Sequence, residues 1–281
     1  MKLCAPFLGS FRITDPILIR DYAQAVEGMG FTHLFADEIL LDRDPDQLYH
    51  ETLTLFAYLA AVTEKLRLVT GIMVLPKRQT LLVARQAAEV HFLSGGRLRL
   101  GVGVGWNRPE FEALGIDFRT RGRRIEEQIR VLKGLWTDGR IDFRGDFHRL
   151  KDFAIHLPPD QRPIPIWVGG TAEAVLRRAA RLADGWIADE SVAGEIEQVI
   201  GRLWGYLDQA GRDRAGFRLV KYLTAGRVPR LQWGDLLRKW EQMGITHTVL
   251  LPSPVKDGNH TLRALTAPLR VFLQEAGQQG D

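Results

Sequence analysis

The sequence predicts an α/β fold, a (β/α)8 TIM barrel with an insertion between strands 4 and 5. Three observations carry this. Short apolar runs alternate with runs of helical periodicity from end to end, eight such pairs fit within 281 residues, and no nucleotide-binding glycine loop follows the first strand. Strict βα alternation implies a parallel sheet, and eight units suggest closure into a barrel. An open doubly wound sheet is the alternative, but it would normally carry that glycine loop. The expected organisation is one domain over residues 1–281, with the insertion at about 137–163.

The elements follow in order. Residues 2–8 (KLCAPFL) read as the first strand. Asp15-Pro16 supplies an N-cap and a first-turn proline, Ile19, Tyr22, Ala23, Val26 and Met29 follow at helical spacing, and Gly30 closes the helix. Strand 31–36 leads to a helix over about 50–63, and strand 66–74 leads to a helix over about 80–93. The fourth strand lies in "LSGGRLRLGVGVGW", from Leu93 to Trp106. A helix over about 119–136 precedes the polar, proline-containing stretch 137–163, which is too long for a simple connection. Strand 164–168, helix 171–183, strand 185–188 and a helix near 192–210 come next. Strand 217–224, a helix near 233–243, strand 246–251 and a helix near 261–275 complete the series.

Composition excludes several classes of function. At 45% hydrophobic and 26% charged residues the chain reads as an ordinary globular protein. No apolar run approaches the roughly 18 residues of a membrane span, and MKLCAPFLGSF lacks the pattern of a signal peptide. The expected compartment is the cytoplasm. A lone cysteine, Cys4, leaves no internal disulfide and reads as a buried hydrophobe. The net charge of +4 comes without any aromatic-basic motif, so no nucleic-acid partner is expected. Arg119, Arg121, Arg123 and Arg124 cluster at a helix start, readable as a solvated face or as a seat for an anionic ligand. The sequence holds no serine-hydrolase elbow, no HExxH and no metal cluster, and its histidines are scattered.

The glycine strand needs its own account. A dinucleotide fingerprint requires glycines at relative positions 1, 3 and 6, but the sixth position is Trp106 counted from Gly101 and Arg108 counted from Gly103. Gly101, Gly103 and Gly105 instead recur with period two, so they share one face of a strand and Val102 and Val104 take the other. Such a bare face lets a neighbour or a flat ligand approach the backbone. Gly95 and Gly96 stop the preceding helix.

Active sites of these barrels lie at the C-terminal ends of the strands. Those ends carry Asp37 and Glu38, Gly71 to Pro76, Gly105-Trp106-Asn107, Gly169-Gly170-Thr171, Asp189-Glu190 and Pro252-Ser253. In "VGGTAEAVLRRAARLADGW" two glycines and a threonine N-cap open a helix, an arrangement that offers amides to a phosphate. Asp37 and Glu38 are candidates for proton transfer, although neighbours on a strand point oppositely. His50 and Glu51 start a helix, with capping as the simpler account. Trp106 is placed either to plug the barrel mouth or to wall a flat ring.

Taken together, "LRLVTGIMVLP", "LLVARQAAEVHFLSGGRLRLGVGVGWNRPEFEALGIDFRTRGRRIEEQIRVLKGLW" and "IPIWVGGTAEAVLRRAARLADGWI" resemble the luciferase-like monooxygenase family, particularly the members that use the deazaflavin coenzyme F420. The resemblance implies an oxidoreductase with a flavin or deazaflavin ring at the barrel mouth. It implies cofactor contacts from Asp37, Gly71, Ile72, Gly103, Gly105, Trp106, Asn107, Gly169, Gly170 and Thr171, with the phosphate at the last three. It also implies a non-proline cis peptide at Gly71–Ile72 behind the ring, a homodimer, and a small-molecule substrate. F420-using relatives commonly carry an Asp-His pair after the second strand, whereas this chain has Asp37-Glu38, which makes Glu38 the candidate catalytic proton relay. The family's usual acid before the second helix is replaced by His50-Glu51. Three activities stay open: an F420-dependent reductase or dehydrogenase, an FMN-dependent monooxygenase served by a separate flavin reductase, and a degenerate, non-catalytic flavin binder.

Overall fold

A computed structural model of the chain describes residues 1–39, 48–137, 140–155, 163–188, 194–253 and 261–277. Eight parallel staves close on themselves. They are β1 (Lys2–Phe7), β2 (His33–Ala36), β3 (Arg67–Thr70), β5 (Leu98–Gly103), β8 (Ile166–Gly169), β9 (Gly185–Ala188), β10 (Arg218–Thr224) and β11 (His247–Leu251). The strands run in the order β3-β2-β1-β11-β10-β9-β8-β5, and β3 pairs in turn with β5 through Leu68↔Leu98 and Val69↔Arg99, so the ring closes and the open-sheet alternative is excluded. The third stave is broken. After Thr70 the chain passes a cis Gly71–Ile72 peptide and resumes as β4 (Met73–Val74), which pairs with β5 through Met73↔Val102 and Val74↔Gly103. From Leu68 to Val74 the run is apolar apart from Thr70 and carries no alternation, so periodicity could not reveal the break.

The helices wrap the outside: α1 (Pro16–Gly28), α2 (Thr52–Val62), α3 (Thr80–Leu93), α5 (Arg121–Thr137), α6 (Glu173–Leu182), α7 (Ile196–Gln209), α8 (Trp233–Gln242) and α9 (Leu262–Gly277). α1 starts as its sequence requires. The Asp15 carboxylate accepts the Ile17 amide, Pro16 fills the first turn, and Ile19, Tyr22, Ala23 and Val26 are buried. Glu51 caps α2 by accepting the Thr54 amide at 2.7 Å, while His50 bonds the Ile13 carbonyl through Nε2. Arg97 ties the end of α2 to the start of β5, donating to the carbonyls of Ala60, Thr63 and Leu66. A short helix, α4 (Arg108–Ala113), precedes α5. At six residues it is too short to register as a periodic pattern, which is why the sequence showed only one helix there. Within 137–163 the chain forms an antiparallel hairpin of β6 (Arg140–Arg144) and β7 (Arg149–Ala154); residues 138–139 and 156–162 of that stretch lie outside the described residues. So do Asp189, Glu190, His156 and His260.

Two apolar layers result. The larger lies between barrel and helices, and the smaller fills the barrel itself with Cys4, Phe35, Val69, Trp167, Ile187, Val220 and Val249. Cys4 is fully buried there and burial pushes its thiol well up, so it is an inert hydrophobe. Among the described residues no helix is long and apolar enough to cross a membrane, and no group of three potential metal-ligating side chains converges.

The glycine face of β5 is where packing leaves least room. A Cβ on Gly101 would stand 1.9 Å from the Thr70 carbonyl oxygen, and one on Gly103 would stand 2.3 Å from Ile72 Cδ1. In contrast, a Cβ on Gly201, exposed on α7, would meet nothing within 4 Å. Gly101→Ala is expected to lower stability by more than about 3 kcal/mol, because backbone must move, whereas Gly201→Ala raises it by roughly 0.5–1 kcal/mol. Denaturant unfolding of both variants checks this, and equal effects would contradict the packing account.

Candidate active site

A cavity of about 670 Å³ opens at the C-terminal ends of the barrel strands. Its base is Ile72, which the break after β3 turns inward. The side chain occupies space left by two glycines, since a Cβ on Gly103 or Gly169 would strike it at 2.3 or 2.9 Å. Gly71 is fixed from two sides: its amide donates to the Ala36 carbonyl at 2.7 Å, and the Tyr222 hydroxyl donates to its carbonyl at 3.2 Å. The rest of the wall is mainly apolar, with Ser10, Asp37, Glu38, Tyr222 and Thr224 as its polar members. A flat, largely apolar ring with a polar edge is the kind of guest such walls accept.

The glycine strand divides differently from its period. Gly101 faces the Thr70 carbonyl and Ile187, and Gly103 faces Ile72, so neither lies directly bare. Gly105 is no longer in β5: its φ of +76° turns the chain away from the strand, and its open side is closed by Val74 and Phe111. Both Gly103 and Gly105 still border the cavity. Trp106 borders it at 81% exposure, so it forms a rim and plugs nothing. Asn107 does not line the cavity. It is the N-cap residue of α4, where its side chain makes no capping bond.

The phosphate motif needs a similar correction. Gly169 and Gly170 border the cavity, whereas Thr171 does not. Thr171 is also not the N-cap: α6 begins at Glu173 with Ala172 in the cap position. Gly170, at φ +114°, makes the turn, and its own amide is spent on the Ile187 carbonyl at 3.2 Å. The turn therefore consumes one residue more than a direct strand-to-helix step. Amides available to an anion are those of the first turn of α6, after Gly170. The arginine cluster does not face this cavity. Arg121 and Arg124 lie over the rings of Phe118 and Phe147, at 3.7 and 4.4 Å from the centroids, and Arg123 pairs with Asp146 at 2.9 Å.

Asp37 and Glu38 sit side by side and differ in environment. Both Glu38 oxygens are engaged: Oε1 accepts from Arg78 Nη2 at 2.5 Å and Oε2 from the Thr52 hydroxyl at 2.5 Å. Arg78 reaches on to Glu51 at 2.9 Å, so one guanidinium bridges two carboxylates. Asp37 has no ion-pair partner among the described residues. Its Oδ1 accepts the Gly9 amide at 3.0 Å, and burial raises its pKa from 3.8 to about 7 against that hydrogen bond. Nearby, Lys77 forms a buried ion pair with Glu110, and desolvation brings its pKa down to about 8. Tyr222, Ser10, Thr224 and Arg78 were not singled out from the sequence. Tyr222 and Thr224 lie in the C-terminal half of the strand at 217–224, so position alone could have marked those two.

The sequence pattern of the family described as luciferase-like monooxygenase matches residues 14–225. An uncharacterized protein of Mycobacterium tuberculosis is 41% identical over 217 residues, covering 71% of this chain and 75% of that protein. The FMNH(2)-dependent dimethylsulfone monooxygenase of Pseudomonas putida is 36% identical over 185 residues, covering 64% of this chain and 51% of that one. A solved structure of an F420-dependent secondary alcohol dehydrogenase, in complex with an F420-acetone adduct, shares the fold at a TM-score of 0.80 and 15% identity. That match covers 97% of this chain and 99% of the other.

The Asp37 environment makes a prediction. The folded carboxyl takes up its proton near pH 7 and the unfolded one near 3.8, so the folded chain holds the extra proton between those values. The associated stability is fully present below the lower value and is lost as pH rises through the upper one. Asp37→Asn, which keeps an acceptor for Gly9, should therefore stabilise the protein by on the order of 2 kcal/mol more at about pH 8 than at about pH 4. Urea unfolding at the two pH values measures the difference, and a difference of opposite sign would rule out the raised carboxyl.

Proposed function

The chain belongs to the luciferase-like monooxygenase family, and from that footing we propose that it is an oxidoreductase that holds the ring of reduced coenzyme F420 in the mouth cavity. The observation that carries the reading is the pairing of an apolar cradle, Ile72 against Gly103 and Gly169, with one buried acid poised near neutral pH. Bound F420 supplies hydride chemistry, toward or from a small organic substrate. The protein's own residues orient and exclude water: Ile72 supports one face of the ring, Trp106 borders the open side, and the first turn of α6 offers amides to the phosphate.

Hydride transfer to a carbonyl-like carbon leaves a proton to be given or taken. A group with a pKa near the working pH does this best, and Asp37 has that property. Glu38 serves the same pair by position. Its ion pair with Arg78 and its bond to Thr52 hold the segment after β2, so the Asp37 carboxyl stays turned toward the cavity.

Reduced FMN is the second reading, favoured by the 36% identity to a monooxygenase named for FMNH(2). It would bring a separate flavin reductase as partner, since reduced flavin must be delivered. Exposed Leu82, Phe92 and Leu93 on α3 support the expected pairing of two copies of the chain.

Fluorescence titration of the protein with F420 and with FMN, each in its reduced form, decides between the readings. Micromolar binding of F420 with much weaker binding of FMN is expected. The reverse order selects the second reading, and failure of both to bind at micromolar levels removes both. Asp37→Asn should lower kcat by about 100-fold or more while leaving cofactor affinity within about threefold. Equal losses in affinity and in kcat would make Asp37 a binding residue only.

A further inference from the structure

The opposite end of the barrel is built on another principle. A second cavity, of about 730 Å³, lies among the first residues of the strands. Its rim carries Lys2 of β1, Arg67 of β3, Arg99 of β5 and Arg218 of β10, each from a different stave. Its floor is aromatic. His33 and His247 meet edge to face with ring centroids 4.6 Å apart, and Trp167 lies 5.2 Å from His247. All three rings are nearly fully buried.

Four cations around one mouth repel each other, and the walls do not answer them. Among the described residues the cavity has a single carboxylate, Asp184, and both of its oxygens are taken: Lys133 Nζ holds Oδ1 at 3.0 Å and the Ile166 amide holds Oδ2 at 2.9 Å. Lys2, Arg67 and Arg218 have no ion-pair partner among the described residues. Arg99 is steadied by donating one nitrogen to the carbonyls of Gly96 and Leu98 at 2.9 and 2.7 Å, which leaves the rest of its planar fork uncommitted. Burial and the fields of Arg67 and Arg218 lower the Arg99 pKa to about 10. Burial likewise keeps both imidazoles neutral, with His33 brought down to about 2 and His247 to about 3. The floor is therefore uncharged, and the unmet positive charge is confined to the rim.

Guanidinium forks converging on a concave, partly dry site bind oxyanions with several acceptor oxygens, because paired N–H donors match their geometry and burial strengthens each contact. We propose that this N-terminal cavity is a second binding site, for a small ligand carrying multiply charged phosphate groups, gripped by Lys2, Arg67, Arg99 and Arg218 above the His33–His247–Trp167 floor. The site is separated from the mouth by the apolar layer of Cys4, Val69, Ile187, Val220 and Val249, and the proposal stands whatever cofactor the mouth takes. The phosphate has two possible sources, a free polyphosphate or the tail of a nucleotide whose base would rest on the aromatic floor.

Calorimetric titration of the full chain with pyrophosphate and with adenosine diphosphate, at a fixed ionic strength of about 0.15 M, tests it. Saturable binding is expected, weakened at least about tenfold in the double variant Lys2→Gln with Arg218→Gln, as loss of charge-assisted hydrogen bonds requires. Both positions are exposed, so the fold should tolerate the change. Arg123→Gln, exposed on α5, is the control for general surface charge and should bind as the unaltered chain does. Tighter binding of the diphosphate nucleotide identifies a nucleotide ligand, and tighter binding of pyrophosphate identifies a free polyphosphate; either supports the site. No saturable binding, binding unchanged in the double variant, or equal weakening by Arg123→Gln overturns it.

Discussion

No atom can be added to Gly101 without striking the Thr70 carbonyl, and the mouth of the barrel depends on that close approach. The third stave abandons regular pairing at this point and presses its backbone against β5. The Thr70 hydroxyl locks the contact by donating to the Gly101 carbonyl at 2.6 Å. Because the backbone comes in so far, Ile72 points into the barrel instead of along its wall. Gly103 and Gly169, on neighbouring staves, yield the space that its branched side chain fills. A glycine spacing in one strand thus determines what another strand can present to a ligand. A side chain at 101 would strike the Thr70 carbonyl, and one at 103 would take the space that Ile72 fills.

The two ends of the same barrel obey different electrostatics. At the mouth the decisive term is desolvation, since two backbone hydrogen bonds fail to offset the burial of Asp37 and no ion pair answers it among the described residues. At the N-terminal end the decisive term is uncancelled charge of one sign, with Lys2, Arg67, Arg99 and Arg218 raising a common field. Between them lies an apolar plug of side chains from the barrel interior. That plug keeps water from joining the ends, so each end retains its own effective dielectric. An acid that becomes neutral and cations that stay charged are what such separated environments produce.

Fold and site were legible to different depths. The alternation of short buried strands, read as apolar runs, with longer helical segments pointed to the closed parallel barrel, although α2 is apolar nearly throughout and announces itself by length more than by period. The break at Gly71–Ile72 left no trace in periodicity; only the resemblance of "LRLVTGIMVLP" to known relatives anticipated it, and the cis bond is present. That Ile72, Gly103 and Gly170 lie at the barrel mouth was legible, since glycine patterns and strand ends are local features, and all three border the cavity there. Thr171 and Asn107 were misplaced by one or two positions, because the turns before α6 and α4 depend on where the backbone goes and sequence spacing does not fix that. The ring of cations around the N-terminal cavity was invisible, as its members are single residues separated by tens of positions in the chain and brought together only by barrel closure.

Adjacent Asp37 and Glu38 show how closure also separates neighbours. Leaving β2, the Asp37 amide still bonds the Phe7 carbonyl at 3.3 Å, so its carboxyl falls inside the ring of strand ends and meets the Gly9 amide. The next residue also borders the cavity, but its carboxylate is received by Arg78 and the start of α2. The outer acid finds a cation and a hydroxyl and is held by them; the inner one finds an amide and apolar walls, and burial pushes its pKa up. A proton-handling group cannot also be an anchor, because the ion pair that anchors a carboxylate stabilises its charged form and opposes protonation. Two carboxylates in sequence, one tied to a cation and one buried beside an amide, let the chain have both. The acid at the second of these positions is thus committed to Arg78, and the inner aspartate meets an amide and apolar walls with no such partner among the described residues.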